Sequence, residues 1–378
     1  MKFFSLGAGN RIFGLDLLRF FAIMYVVLGH SKILLPEKYD AYIGKTILDG
    51  VSIFFVLSGF LIGQILIKQI NRGETSFKNL FHFWTRRWMR TLPAYFFTLT
   101  ILVIYTACLK PVRLPEDWYK YFLFLQNFFT PQPPFFTESW SLSVEEWFYL
   151  MIPILFFFGI YLFSKNKKNV LFFLIFFIIV LVISYRYFMY YELVAQKEKY
   201  INSILSKQVF PRLDGIMVGV LGAFCNIYFQ KTWNKLNHWY IFLLMFIVLY
   251  LMKQFASDVE GLHYCVFMPF FKSLAVFFML PFLSKFEIQR SNFTVKFVTF
   301  VSVTSYSMYL LNRTIVIDIV FKYLLHDNLV KKHIFNENWI VEYILFWIIT
   351  FALSFLMYKL IEKPFLKLRD FIEIGKKQ

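Results

Sequence analysis

The sequence predicts an all-α, polytopic integral membrane protein with about ten transmembrane helices and both termini cytoplasmic. Three observations predict it. Hydrophobic residues make up 59% of the chain and aromatic residues 22%, with a mean hydropathy of +0.58, beyond the range of an ordinary soluble domain. Apolar runs long enough to cross a bilayer recur from end to end. Lysine and arginine collect in the connections between those runs. No long polar stretch interrupts the pattern, so residues 1–378 read as one transmembrane unit without an appended soluble domain.

The net charge of +17 invites a nucleic-acid reading, which the distribution excludes. The basic residues are scattered between apolar runs and build neither a concentrated patch nor a nucleic-acid motif. Cys108, Cys225 and Cys265 lie in or near apolar segments without metal-ligand spacing. They read as packing residues, and no metal site is expected.

The first run, 13–35, is too long for a signal peptide and has no small-residue cleavage site, so it is expected to stay as a spanning helix. It contains Gly14-Leu-Asp-Leu-Leu-Arg19 and ends near His30. Eleven steps at 100° return to within about 20° of the start, so Arg19 and His30 share a face, with Asp16 on the same stripe. They lie about 16 Å apart along the axis. Ionisable residues inside a span are costly and mark a functional site by default. His30 is a candidate base and Arg19 a candidate anion ligand. A loop contact for His30, and an i,i+3 pair with Asp16 or snorkelling for Arg19, remain open.

The second run is 51–70 and the third 92–109. The third is preceded by His82-Phe-Trp-Thr-Arg-Arg-Trp-Met-Arg90, in which Arg87 and Arg90 face one side of a helical turn. They can clamp phosphates or serve as a positive-inside anchor beside interfacial tryptophans; composition alone favours the anchor. The fourth run, 142–163, is entered through Glu138-Ser-Trp-Ser-Leu-Ser-Val-Glu-Glu-Trp-Phe-Tyr149. Ser141 and Glu145 share a face, whereas Glu145 and Glu146 diverge by about 100°, so at most one looks into a given site. Glu145 could orient the His30 imidazole or bind a hydroxyl; equally, Ser141 could cap the helix with the acids near its positive end.

The fifth run is 169–190. The sixth, 213–229, opens with Arg212-Leu-Asp-Gly215, where Asp214 can cap the helix or pair with Arg212 near a site. The seventh, 238–252, is short, and the eighth is 263–283. The ninth, 296–324, carries Ser305, Tyr309 and Asn312 at i, i+4 and i+7, a polar stripe that can join helices or face a site. The tenth is 339–361. With a cytoplasmic N-terminus, the inside connections hold Arg86, Arg87 and Arg90; Lys165, Lys167 and Lys168; Lys231 and Lys235; Lys285 and Arg290; and the tail Lys363, Lys367, Arg369, Lys376 and Lys377. The outside connections are less basic, and the larger ones are about 110–141 and 191–211. The first of these carries the turn signal Pro131-Gln-Pro-Pro134.

Taken together these segments resemble the membrane acyltransferase family three, which includes bacterial O-antigen and other glycan O-acetylases. The Arg19-to-His30 stripe is similar to that family's Arg-x10-His signature. Val51-Ser-Ile-Phe-Phe-Val-Leu-Ser-Gly-Phe-Leu-Ile62 is similar to its second-helix motif, and Arg87-Trp-Met-Arg90 with Leu92-Pro93 to its Arg-x-x-Arg loop. Ser141 and Glu145 match its Ser-x-x-x-Glu motif; Arg212-Leu-Asp214 and Ser305-Tyr-Ser-Met-Tyr-Leu310 match later segments. One position departs. Many members carry a His shortly after the last motif, where this chain has Asn312, an amide that does not titrate.

The resemblance implies transfer of an acyl group, most often acetyl from acetyl-CoA, to a glycan hydroxyl, in a multi-pass protein of the bacterial inner membrane. It implies Arg19, Arg87 and Arg90 on the CoA phosphates, His30 with Glu145 in catalysis, either as a base or through a covalent acyl-histidine intermediate, and Ser141, Asp214, Tyr309 and Asn312 near the acceptor. The acceptor is expected to be a cell-surface or lipid-linked glycan, within a membrane-lipid setting and without nucleic acid. Polar stripes in several helices also fit a transporter or flippase of an acylated glycan or lipid, which would not need CoA. A sensor or assembly subunit that has lost catalysis is the third reading, kept open by Asn312.

Overall fold

A computed structural model of the chain describes residues 11–163, 166–256, 258–288, 292–326 and 339–374. Lys165, Arg290, Lys376 and Lys377, counted above among the inside charges, lie outside the described residues. Among the described residues the secondary structure is helical, in the order α1 (Phe13–Ser31), α2 (Glu37–Thr46), α3 (Gly50–Asn71), α4 (Phe77–Leu109), α5 (Ser139–Leu162), α6 (Lys167–Ala195), α7 (Ile201–Lys207), α8 (Leu213–Tyr228), α9 (Gln230–Lys235), α10 (Trp239–Gln254), α11 (Met268–Leu283), α12 (Phe293–Leu311), α13 (Trp339–Met357) and α14 (Lys363–Ile374). In a bilayer core every backbone group must be bonded internally, which helices achieve within one segment.

Helices stand at all ten expected places, and eight of them are long and apolar enough to cross a membrane. The other two differ for physical reasons. α10 has only 16 residues, or about 24 Å. α12 is interrupted by Ser302, Thr304, Ser305 and Ser307, all buried, which lower its apolarity without exposing it to lipid. The third run differs most. Residues 82–90 and 92–109 are one 33-residue helix with Pro93 in its interior. At about 50 Å it exceeds the roughly 30 Å hydrocarbon core, so its arginine-bearing half projects past one surface.

The packing is set by small residues, as expected where lipid tails compete equally for apolar side chains. α3 and α8 touch backbone to backbone. A Cβ on Gly59 would sit 1.9 Å from the carbonyl oxygen of Ile216, and one on Gly219 would sit 2.1 Å from that of Val56. Gly14 on α1 approaches Leu283 of α11 just as closely, and Gly50 approaches Ala22. Two large apolar clusters and two small ones result. Of the large pair, one joins α3, α5, α6, α8 and α11 around Phe60, Phe148 and Ile216. The other joins α1, α4, α12 and the α4–α5 connection around Val27, Tyr95 and Leu310. Polar residues fill the seam between them.

The α4–α5 connection folds back onto the bundle. Tyr95 stacks on Phe124 (ring centroids 4.6 Å apart) and donates to the Tyr121 carbonyl at 2.9 Å. Phe124 adopts a left-handed φ of 56°, which closes the preceding turn. Gln126 and Asn127 are buried, and the Asn127 amide donates to the carbonyls of Trp140 and Lys207. This connection is thereby pinned to the segment entering α8.

Candidate functional site

α1 carries the first two expected residues on one face. Arg19 lies 3.7 Å from Asp16, the i,i+3 pair anticipated from spacing. Asp16 is already bound: it pairs with Arg11 and accepts from Ser302 Oγ at 2.8 Å. The Arg19 guanidinium lines a cavity of about 100 Å³ together with Arg87 and Arg90 of α4. Arg87 is placed over the Tyr149 ring, 5.8 Å from its centroid. Among the described residues neither Arg87 nor Arg90 forms an ion pair. This end of the cavity therefore holds more positive charge than the protein neutralises, and fits an anion.

Midway along the cavity, Glu145 accepts from Ser58 Oγ at 3.2 Å and from Tyr149 OH at 2.7 Å. Glu146 turns away and accepts from Thr91 Oγ1 of α4 at 2.7 Å, so only one of the adjacent carboxylates enters the cavity. At the far end Ser141 Oγ and Tyr309 OH are 2.6 Å apart. Tyr309 also donates to the Glu138 carbonyl at 2.9 Å. Its single hydrogen is used there, so Ser141 is the donor in the shared bond. Ser141 is inside α5, and the residue preceding that helix is Glu138. The capping role open for Ser141 in the sequence is thus replaced by a bond between α5 and α12.

His30 lies beyond this end and does not line the cavity. Its Nδ1 is 2.6 Å from Asn312 Oδ1. The orientation of that buried amide is fixed, because its Nδ2 donates to the carbonyls of Met308 (2.7 Å) and Tyr309 (2.9 Å). Oδ1 can only accept, so Nδ1 must carry hydrogen. The exchangeable position of the imidazole is then Nε2. The helix changes to π-helical winding at Asn312, over Asn312–His326, a feature frequent at functional sites. Glu145 was expected as a possible orienting partner of His30; the geometry gives that place to Asn312.

Six of the expected residues therefore border one cavity: Arg19, Arg87, Arg90, Ser141, Glu145 and Tyr309. His30 and Asn312 pair just past its end. Asp214 is not brought there. It is 1% exposed and accepts from Arg186 Nη2 at 2.7 Å, while Arg212 donates to Ser52 Oγ at 2.9 Å. Arg186 is separated from Asp214 by a whole connection, so no local spacing could have paired them. Ser58 and Tyr149, which hold Glu145, were also missed as site residues; Tyr149 continues the Ser141–Glu145 spacing by one more turn, whereas a lone hydroxyl such as Ser58 in an apolar helix gives no distinguishing signal. Glu138 was passed over too. Its carboxylate accepts from Thr314 N at 3.0 Å and Thr314 Oγ1 at 2.6 Å, tying the start of α5 to the helix after Asn312. Among the described residues no cluster of three metal-ligating side chains occurs.

Comparison with known proteins gives the same direction. The sequence profile of the family described as "Acyltransferase domain" matches residues 12–359. The chain is 28% identical over 167 residues to O-acetyltransferase OatA of Staphylococcus aureus (strain NCTC 8325 / PS 47), covering 41% of this chain and 26% of that protein. It is 33% identical over 136 residues to Peptidoglycan O-acetyltransferase OatA of Listeria monocytogenes, covering 32% and 21%. It is 31% identical over 172 residues to Putative peptidoglycan O-acetyltransferase YrhL of Bacillus subtilis, covering 41% and 25%. The chain thus spans about a quarter of the length of these relatives. No solved structure matches it.

Proposed function

The chain belongs to the acyltransferase family, and from that premise we propose a membrane O-acyltransferase that moves an acetyl or other short acyl group from acyl-CoA to a glycan hydroxyl. The observation that carries this reading is the cavity that runs from three guanidiniums to the Ser141–Tyr309 pair, one helical turn from the Asn312 that holds His30. Its charged end suits the phosphates of CoA, and the 16 Å or so between Arg19 and His30 along α1 suits an extended pantetheine arm. The relatives named as peptidoglycan O-acetyltransferases point to a cell-envelope glycan as acceptor, free or lipid-linked. Because CoA is made in the cytoplasm, the arginine end faces the cytoplasm, both termini with it, in the inner membrane.

In this reading the acceptor hydroxyl attacks the thioester carbonyl, His30 Nε2 takes its proton, and the CoA thiolate leaves. Asn312 holds the imidazole with Nε2 available. Glu145 faces the cavity beside the path of the donor, where it can accept from a donor N–H or acceptor O–H. Tyr309 lines the cavity one helical turn before Asn312, the partner of the imidazole, so the acyl end approaches Nε2 past the Ser141–Tyr309 pair. Alignment of the two substrates supplies much of the rate.

The test is the ester-bound acetyl content of surface glycans in wild type, a deletion, and the deletion complemented with His30→Ala. Loss in the deletion without restoration by His30→Ala is the expected result. Equal acetyl in all three overturns the reading.

A further inference from the structure

A second cavity, of about 300 Å³, lies on another face of α3 from the first: Ser52 and Ile53 line it, whereas Val51, Phe54 and Phe55 line the first. Its polar lining is Asp49, Ser52, Lys253, Tyr264 and Lys272; Leu48, Leu249 and Val276 supply apolar wall. Among the described residues Asp49 is the only carboxylate on it. That group is already engaged, accepting from Ser52 N at 3.1 Å and Ser52 Oγ at 2.7 Å. Lys272 Nζ stands 4.0 Å from Asp49, at the limit of an ion pair, and 5.0 Å from the centre of the Tyr264 ring. Lys253 donates to the carbonyls of Gly44 and Ile47 at the end of α2, neutral groups that bring no opposing charge. Behind Ser52 the buried Arg212 adds a third cation, whose Nε has no hydrogen-bond partner in the described structure.

Three cations thus surround one carboxylate at the level of Ala22 in α1, where Gly50 packs. Uncompensated charge at such depth is unfavourable, whereas a bound anion neutralises it. Lysine ammoniums act on phosphate as point charges. The apolar wall at the same depth favours an anion carried on a chain over a free ion in water. We propose that this cavity binds the phosphate group of a membrane-embedded lipid or lipid-linked substrate, with Lys272 as its principal contact. The two cavities are lined from adjacent residues of α3, and Arg212, which donates to Ser52, also lies over the Phe55 and Trp140 rings.

Binding is read directly, without acyl transfer, so its failure is separate from failure of the proposed activity. The purified full chain in maltoside micelles is melted with dodecyl phosphate, with dodecanol, or with inorganic phosphate at equal concentration. The expected result is a rise in Tm with dodecyl phosphate alone, abolished in Lys272→Ala and restored in Lys272→Arg. A Tm for the unliganded Lys272→Ala protein equal to wild type shows that the variant folds; if it does not, Lys272→Gln is used in its place. An equal rise with dodecanol, an equal rise with inorganic phosphate, or an undiminished rise in the variant each overturns the proposal.

Discussion

At the residue scale, the amide of Asn312 decides which nitrogen of His30 can work as a base. A chain of three hydrogen bonds leads from the α12 carbonyls through the amide to Nδ1, and each bond has only one possible direction. An imidazole at Nδ1–H leaves Nε2 as the accepting atom, so removing the acceptor at 312 should misplace the tautomer without removing the base. Asn312→Leu is therefore expected to slow CoA release in proteoliposomes about tenfold or more, and His30→Ala by about 10²–10⁴-fold, the range for general acid–base catalysis. Asn312→Asp keeps an acceptor for Nδ1–H and should lose far less than Asn312→Leu. Equal losses in the two Asn312 variants would show that the amide matters only for packing. Arg87 and Arg90 pose a different question, because the protein gives neither an anionic partner within the described residues. Charge-assisted hydrogen bonds contribute about 1.5–3 kcal/mol each, so Arg90→Ala should raise KM for acetyl-CoA by about ten- to hundredfold with kcat little changed. An unchanged KM would reduce the arginine to a topological anchor.

At the scale of elements, the cavity is framed by α3, held against α8 by glycines, and by α1, α4, α5 and α12, which polar pairs tie to one another. Ser58, Phe54 and Phe55 reach the cavity from α3 only if that helix stays at its close distance from α8. Gly219→Leu should force the two backbones apart, since even a Cβ there would sit 2.1 Å from Val56 O. Overpacking typically costs about 1–3 kcal/mol, so a lower Tm in detergent is expected, with loss of activity from the displaced α3 side chains. Gly29→Ala is the matched control: its Cβ would meet nothing within 4 Å, and alanine is better in a helix by about 1 kcal/mol. Comparable melting of the two variants would refute the close-packed seam. These elements were legible to different degrees. Apolar runs located the spans because hydropathy is a local property. α2 was invisible, since Glu37–Thr46 is polar and short. The unbroken α4 was hidden by Pro93, which locally reads as a helix start although here it lies in the interior.

At the scale of the whole molecule, the stripe on α1 and the two arginines of α4 were readable because charge inside or beside an apolar run stands out. What sequence could not supply was their convergence across chain-distant helices: Ser141 with Tyr309, His30 with Asn312, Arg186 with Asp214. Each joins residues that have no periodic relation to one another. That convergence gives the molecule two ends, one with Arg19, Arg87 and Arg90, the other with His30 and the folded α4–α5 connection. A cytoplasmic donor can use this arrangement only if the arginine end faces the cytoplasm. Orientation is therefore a consequence of the proposed chemistry that can fail independently of it. Lys78, at the start of α4, and Glu116, in the connection after it, lie on opposite sides of that helix's span. Single cysteines at these positions, in a background with Cys108, Cys225 and Cys265 replaced by alanine, can be probed in intact cells with a membrane-impermeant maleimide. Glu116→Cys should label in intact cells, and Lys78→Cys only after permeabilisation. The reverse pattern would put the arginine cluster outside, out of reach of CoA, and the cavity would then have to bind an external anion instead.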